Sequence, residues 1–180
     1  DQLLLDLTTE GLRIQIVDEQ NRPMFDTASS ELEPYTKAIL REIGRALNQV
    51  DNRISLSGHT DATPYAGPGS SFGNWELSTN RSNASRRELV VGGMVDAKVM
   101  RVVGMGASVP FNRDDPFAAI NRRISIVVMN KRTEENVMAD GKMPEVAVGQ
   151  AADVQGLGGA VGAVVDPGLA AVPGAPPAAR

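Results

Sequence analysis

Asp61 and Arg81 are the residues whose types best suit recognition of a small charged group. A carboxylate accepts hydrogen bonds from an ammonium. A guanidinium offers a carboxylate two parallel N–H bonds in a fixed fork. A target that carries an ammonium and a carboxylate close together calls for one of each. His59, between Ser57 and Asp61, raises the alternative of general-base chemistry. These three residues share one short local stretch, however, and no triad converges from distant segments, so His59 is read as structural. Gly104-Met105-Gly106 lacks the Lys-Ser/Thr of a phosphate loop and is read as a strand that bends or approaches a neighbour closely. Trp75 fits either a loop anchor or a sugar platform, and the sequence does not choose between them.

Composition narrows the chemistry. The chain has no cysteine and a single histidine, which excludes disulfides, thiolate nucleophiles and His- or Cys-rich metal sites. No cofactor is expected. The net charge of −4 gives no basic excess for nucleic acid. The hydrophobic fraction of 42% is ordinary for a globular domain, and with few aromatics its core must be built from Leu, Ile, Val and Met. No stretch is long and apolar enough to cross a bilayer. The start at Asp1-Gln2-Leu3, without Met, reads as part of a longer or processed protein.

The positioning elements follow from periodicity. Leu3-Leu4-Leu5-Asp6-Leu7 and Leu12-Arg13-Ile14-Gln15-Ile16-Val17 flank a turn at Thr8-Thr9-Glu10-Gly11, a β-hairpin pattern. Leu32, Tyr35, Ile39, Ile43, Ala46, Leu47 and Val50 recur at helical spacing, with Pro34 suited to the first turn. Ile54 to Gly58 alternates as a strand and delivers His59-Thr60-Asp61 at its end. After a loop from Ala62 to Gly73, Asn74 is the expected N-cap of a second helix that runs to about Val91 and stops at Gly92-Gly93. Arg101 to Met105 and Arg123 to Met129 read as strands, the latter with Ile124, Ile126 and Val128 facing one way. Pro110 to Ala119 reads as irregular. Interleaved helices and strands predict an α+β fold, a two-layer sandwich of a mixed β-sheet with helices packed on one face.

The chain divides into three parts on this reading. Residues 1–30 form an N-terminal hairpin and connection preceding the core, 31–131 the core, and 132–180 a flexible tail. The compositional change is sharpest from Pro144 to Arg180, where Gly, Ala, Val and Pro dominate without periodicity.

Four ordered segments carry a family resemblance: Gly58-His59-Thr60-Asp61; Asn74-Trp75-Glu76-Leu77-Ser78-Thr79-Asn80-Arg81; Gly104-Met105-Gly106 with Pro110; and Asn121-Arg122-Arg123. Together they resemble the OmpA-like peptidoglycan-binding domain over roughly Asp51 to Met129. Within that family, Leu12 to Asp18, Asn21-Arg22-Pro23-Met24-Phe25, Pro64 and Ser82 to Leu89 resemble the MotB-like stator proteins of flagellar motors. The sequence departs from the general family in a longer Ala62–Gly73 loop, in Ser82 where Ala is usual, and in lacking a Gly soon after Thr60-Asp61.

The resemblance implies a binding domain rather than an enzyme, anchoring a stator to the cell wall noncovalently. It implies that Asp61 and Arg81 converge on the free amino-acid end of diaminopimelate in the stem peptide, surrounded by Thr60, Asn74, Leu77 and Ser78, with Asn74 serving both as N-cap and as a clasp on the loop. Arg122 and Arg123 match the family's paired arginines, one of which is expected to hold the site from the sheet's polar rim. It further implies a periplasmic location, a preceding inner-membrane helix, a MotA-like channel partner and a homodimer. The polar connection Asn21 to Ser30 is expected to rearrange when the stator engages the rotor. The alternatives are a lipoprotein-type or porin-linked wall anchor, and a peptidoglycan hydrolase that would have to rely on carboxylates such as Asp61 and Glu76.

Overall fold

The structure, a computed structural model, describes residues 2–19, 21–65 and 71–141. Strands β1 (Leu3–Thr8) and β2 (Gly11–Val17) form the expected hairpin, followed by helix α1 (Pro34–Leu47), β3 (Ile54–His59), α2 (Asn74–Val91), β4 (Val99–Gly104), β5 (Arg123–Met129) and α3 (Lys131–Asp140). The sheet order is β1-β2-β5-β3-β4, parallel only between β3 and β4. This is the α+β architecture expected from the sequence.

The N-terminal hairpin joins the sheet of the core through β2. β2 pairs antiparallel with β5 from Gly11↔Met129 to Val17↔Arg123. Ile14 and Ile16 thereby join Leu56, Ile124 and Ile126 in one apolar cluster with Leu40, Leu47 and Leu89. Each fully buried aliphatic side chain contributes about 2 kcal/mol by leaving water.

The buried stripe of α1 is Thr36, Leu40, Gly44 and Leu47, whereas Ala46 and Val50 are exposed. Of the expected stripe, Leu32 and Leu47 are buried and Ile39 and Ile43 pack against the core, while Gly44, which carries no hydrophobic signal, marks where α2 crosses. A Cβ on Gly44 would lie 2.2 Å from Leu89 O. α2 packs by small residues too: Ser78, Ser82 and Ser85 are all fully buried. Ser82 Oγ donates a shared hydrogen bond to the carbonyls of Ser78 and Val103, 3.0 Å from each. The Ser that departs from the family's Ala therefore ties helix to sheet.

Helix α3 (Lys131–Asp140) takes in residues 132–140, the start of the expected tail. Asn130 caps it by accepting from Thr133 N at 2.9 Å, and buried Glu134 accepts from Arg53 N at 2.8 Å. The rest of that expected tail, from 142 onward, lies outside the described residues.

Candidate functional site

The C-terminal end of β3 is clamped on three sides. Met105 N donates to Gly58 O, Thr60 N to Gly106 O and Ala62 N to Pro116 O, all within 2.9 Å. α2 lies against the same end because Gly58 and Gly104 are register partners without side chains. A Cβ at Gly58 would come within 2.3 Å of Ser78 O, and one at Gly104 within 2.0 Å of Thr79 Oγ1. This close approach sets the helix that carries Arg81 beside the strand that carries Asp61.

Between them lies a cleft of about 330 Å³, lined by Thr60, Asp61, Asn74, Leu77, Arg81 and Arg122 of the expected residues. The cleft also has a wall that the sequence reading assigned no site role, the segment Pro23 to Ala28, together with Asp18 and Tyr65. Phe25 of that segment lies under the Arg81 guanidinium, 4.6 Å from ring centroid to Cζ. Arg81 Nε donates to Ser29 O at 2.8 Å. Among the described residues the two Nη groups of Arg81 have no hydrogen-bond partner. Tyr65 Oη donates to Ala28 O at 2.5 Å and straps the loop after Asp61 to this wall.

Three carboxylates, Asp18, Asp26 and Asp61, and two guanidiniums, Arg81 and Arg122, line the cleft. Arg122 donates from Nε to Asp18 Oδ2 at 2.7 Å and from Nη1 to Asp61 Oδ2 at 2.6 Å. Asp61 Oδ1 accepts from Thr63 N at 2.9 Å, and Asp18 Oδ1 from Met24 N at 2.7 Å. Burial raises the Asp18 pKa, against the pull of Arg122. Burial also lowers that of Arg81, against the pull of Asp18. For Arg122 burial opposes the charge, but the hydrogen bonds to Asp18 and Asp61 outweigh it and raise the pKa. Thr60 Oγ1 is buried and has no hydrogen-bond partner among the described residues.

Asn74 is the expected loop clasp but not the expected cap. Gly73 is the N-cap, and its N–H donates to Glu76 Oε2 at 2.7 Å. Asn74 is the first helical residue, and its Nδ2 donates to Thr63 O at 3.0 Å, clasping the loop. Glu76, weighed above for hydrolysis, is thus engaged at the helix start rather than in the cleft.

Ser78 and Arg123 do not line the cleft. Ser78 is turned into the helix–sheet contact, where its Oγ donates to Trp75 O and accepts from Gly106 N, both at 2.9 Å. Arg123 begins β5, and alternation along a strand sends it to the face opposite the helices. There it donates to Gln15 Oε1 at 3.1 Å. Trp75 packs on Gly106, whose Cβ position is 3.3 Å from the ring, and keeps 58% exposure without lining the cleft. His59 is buried on the same face as Arg123.

Asp18 and Phe25 had a weak signal in sequence. Asp18 directly follows a buried strand, a position where a carboxylate needs a partner, but nothing local names Arg122, which is 104 positions away.

The profile of the OmpA family matches residues 24–123. Motility protein B of Escherichia coli (strain K12) is 56% identical over 136 residues, which are 76% of this chain and 44% of the relative. The putative flagellar export/assembly protein LafU of Escherichia coli O44:H18 is 36% identical over 75% of this chain and 43% of its own length. The chain thus spans less than half of these relatives. Among solved structures, the periplasmic domain of Helicobacter pylori MotB superposes with a TM-score of 0.60 at 16% identity, covering 79% of this chain and 93% of that one. The cell wall anchor of the type VI secretion system (T6SS) from Pseudomonas aeruginosa gives 0.57 at 21% identity, covering 72% and 89%. These last two likenesses concern the fold. From the family profile and the cleft that its matching segments build, the chain belongs to the OmpA family.

Proposed function

We propose that this domain binds peptidoglycan noncovalently and anchors a flagellar stator to the cell wall. The observation that carries the reading is that Asp61 and Arg81 line one cleft whose size suits a single amino-acid end. The ammonium of diaminopimelate docks on Asp61, which retains lone-pair positions beyond those used by Thr63 and Arg122. The carboxylate docks on the open Nη edge of Arg81 as a bidentate pair. Arg122 holds Asp61 and Asp18 in place, and Thr60 Oγ1 is a spare polar group at the cleft. No bond is made or broken, and motor force passes through the sheet to the clasp.

The 56% identity to Motility protein B supports the stator assignment. With it go a periplasmic location, a preceding inner-membrane helix, partnership with a MotA-like channel subunit and a homodimer.

The test is sedimentation with murein sacculi of the chain, Asp61→Ala and Arg81→Ala, with released muropeptides assayed in parallel. Sedimentation of the parent alone, without release, is the expected result. Equal sedimentation of all three removes the clasp, and muropeptide release removes the binding-only reading.

A further inference from the structure

The face of the sheet away from α1 and α2 carries a second groove. On β5, Ile124, Ile126 and Val128 join or pack against the helix-side core, so Arg123, Ser125 and Val127 face the other way. Register places Ser125 between Gln15 and Ser57, and Arg123 beside His59. These residues line a groove of about 520 Å³, with Arg13 and Arg101 among its other walls.

The charge in this groove is unbalanced at one point. Arg13 is paired with Asp6, and Arg101 with Glu10. Arg123 is only 6% exposed, and all three of its hydrogen bonds go to neutral acceptors: Gln15 Oε1 at 3.1 Å, Asn121 O at 3.3 Å and Val109 O at 3.0 Å. Among the described residues no carboxylate pairs with it. A buried cation without a counter-charge is expensive to hold. Burial, reinforced by Arg13, brings its pKa down only to about 10, so it stays charged at neutral pH.

A second unmet group sits beside it. His59 is 7% exposed, its Nε2 lies 3.3 Å from Ser57 Oγ, and its Nδ1 has no partner among the described residues. A Ser57 hydroxyl that donates to Nε2 leaves the ring proton on Nδ1, a buried donor without an acceptor. Arg123 lacks an oxygen acceptor carrying negative charge, and the neutral His59 ring beside it lacks a hydrogen-bond partner at Nδ1.

We propose that this groove binds an oxyanion, a carboxylate or a phosphate group of a larger ligand, held by the unbalanced charge of Arg123 next to His59. The site is separate from the cleft. Arg122 serves one and its chain neighbour Arg123 the other, on opposite faces of the sheet.

The experiment is an NMR titration of the ¹⁵N-labelled chain with inorganic phosphate and, separately, acetate, at ionic strength matched with chloride. The His59 ring signals are followed in the parent, in Arg123→Gln and in Gln15→Glu, and the Arg123 Nε–H signal in the parent and in Gln15→Glu. The last variant builds a carboxylate against Arg123 Nε and needs no loss of folding to act. Saturable shifts are expected in the parent with at least one oxyanion and not with chloride. Both variants should bind about tenfold more weakly or worse, and Gln15→Glu should melt at a higher temperature. Response to phosphate alone assigns a phosphate-bearing ligand, and response to acetate alone a carboxylate-bearing one. Chloride-like, unsaturable shifts in the parent overturn the proposal. So does undiminished binding in folded Gln15→Glu.

Discussion

Arg122 Nη1 donates to Asp61 Oδ2 over 2.6 Å, so the carboxylate proposed to receive an ammonium already holds a guanidinium. The same arginine reaches Asp18, whose side chain is 4% exposed. Removing it leaves two buried carboxylates without their cation. Arg122→Ala should therefore destabilise the fold by about 3 kcal/mol, read as a lower urea midpoint at unchanged slope. Adding Asp18→Asn should restore part of the loss. Equal midpoints for parent and Arg122→Ala would show that water compensates both carboxylates.

Arg81 combines a fork with a fixed pose over Phe25. Lysine keeps the charge but supplies neither the second parallel donor nor the Nε bond to Ser29. Arg81→Lys should fold with little loss yet hold sacculi about tenfold more weakly. Binding at parental strength would mean that the site needs only a positive charge.

The glycine pair Gly58 and Gly104 sets the distance between α2 and β3. A Cβ at Gly104 would meet Thr79 Oγ1 at 2.0 Å. Gly104→Ala should cost about 1–3 kcal/mol through overpacking and also weaken sacculus binding, because the helix carrying Arg81 must move. Loss of stability with parental binding would separate helix placement from the clasp.

His59 makes stability depend on pH. Burial, reinforced by Arg123 and Arg13, pushes its pKa from 6.5 down to about 3. Between those values the unfolded chain takes up a proton that the folded chain refuses. Stability should therefore fall as pH drops through this window, by at most about 1.4 kcal/mol per pH unit. Asp18, with its pKa raised by burial, works in the opposite sense at the acid end. The slope is best sought between about pH 5 and about pH 6.5. Urea unfolding across that range should show it in the parent and not in His59→Gln; a flat parent would mean that His59 protonates freely in the fold.

The segment of Phe25 and Ser29 covers Arg81, and Tyr65 straps it to the loop after Asp61. If engagement of the rotor moves this wall, a disulfide between Ala28→Cys and Tyr65→Cys should abolish swimming in full-length protein and reduction should restore it. Normal motility in the oxidised state would assign the wall a fixed role.

Most elements were readable from local patterns because those patterns are set by what one face of a strand or helix must bury. Alternation at Leu12 to Val17 and at Arg123 to Met129 gave two of the three interior strands, β2 and β5, and Gly92-Gly93 marked the end of α2. Asp61 and Arg81 were legible through the order of family segments. Local chemistry also had enough signal for α3 in Asn130 and Thr133, although the charged run after it read as tail.

Long-range pairing decided the rest. Alternation made Arg122 and Arg123 differ in face, but only the register of β5 against β2 and β3 shows which one reaches Asp61 and which meets Gln15 and His59. Asp18, Phe25 and Ser29 became parts of the cleft because the connection before α1 folds back over Arg81, 52 residues away from Ser29 in sequence. A side chain's type states what partner it needs, but which distant residue supplies that partner depends on how the sheet closes, and that belongs to the tertiary structure alone.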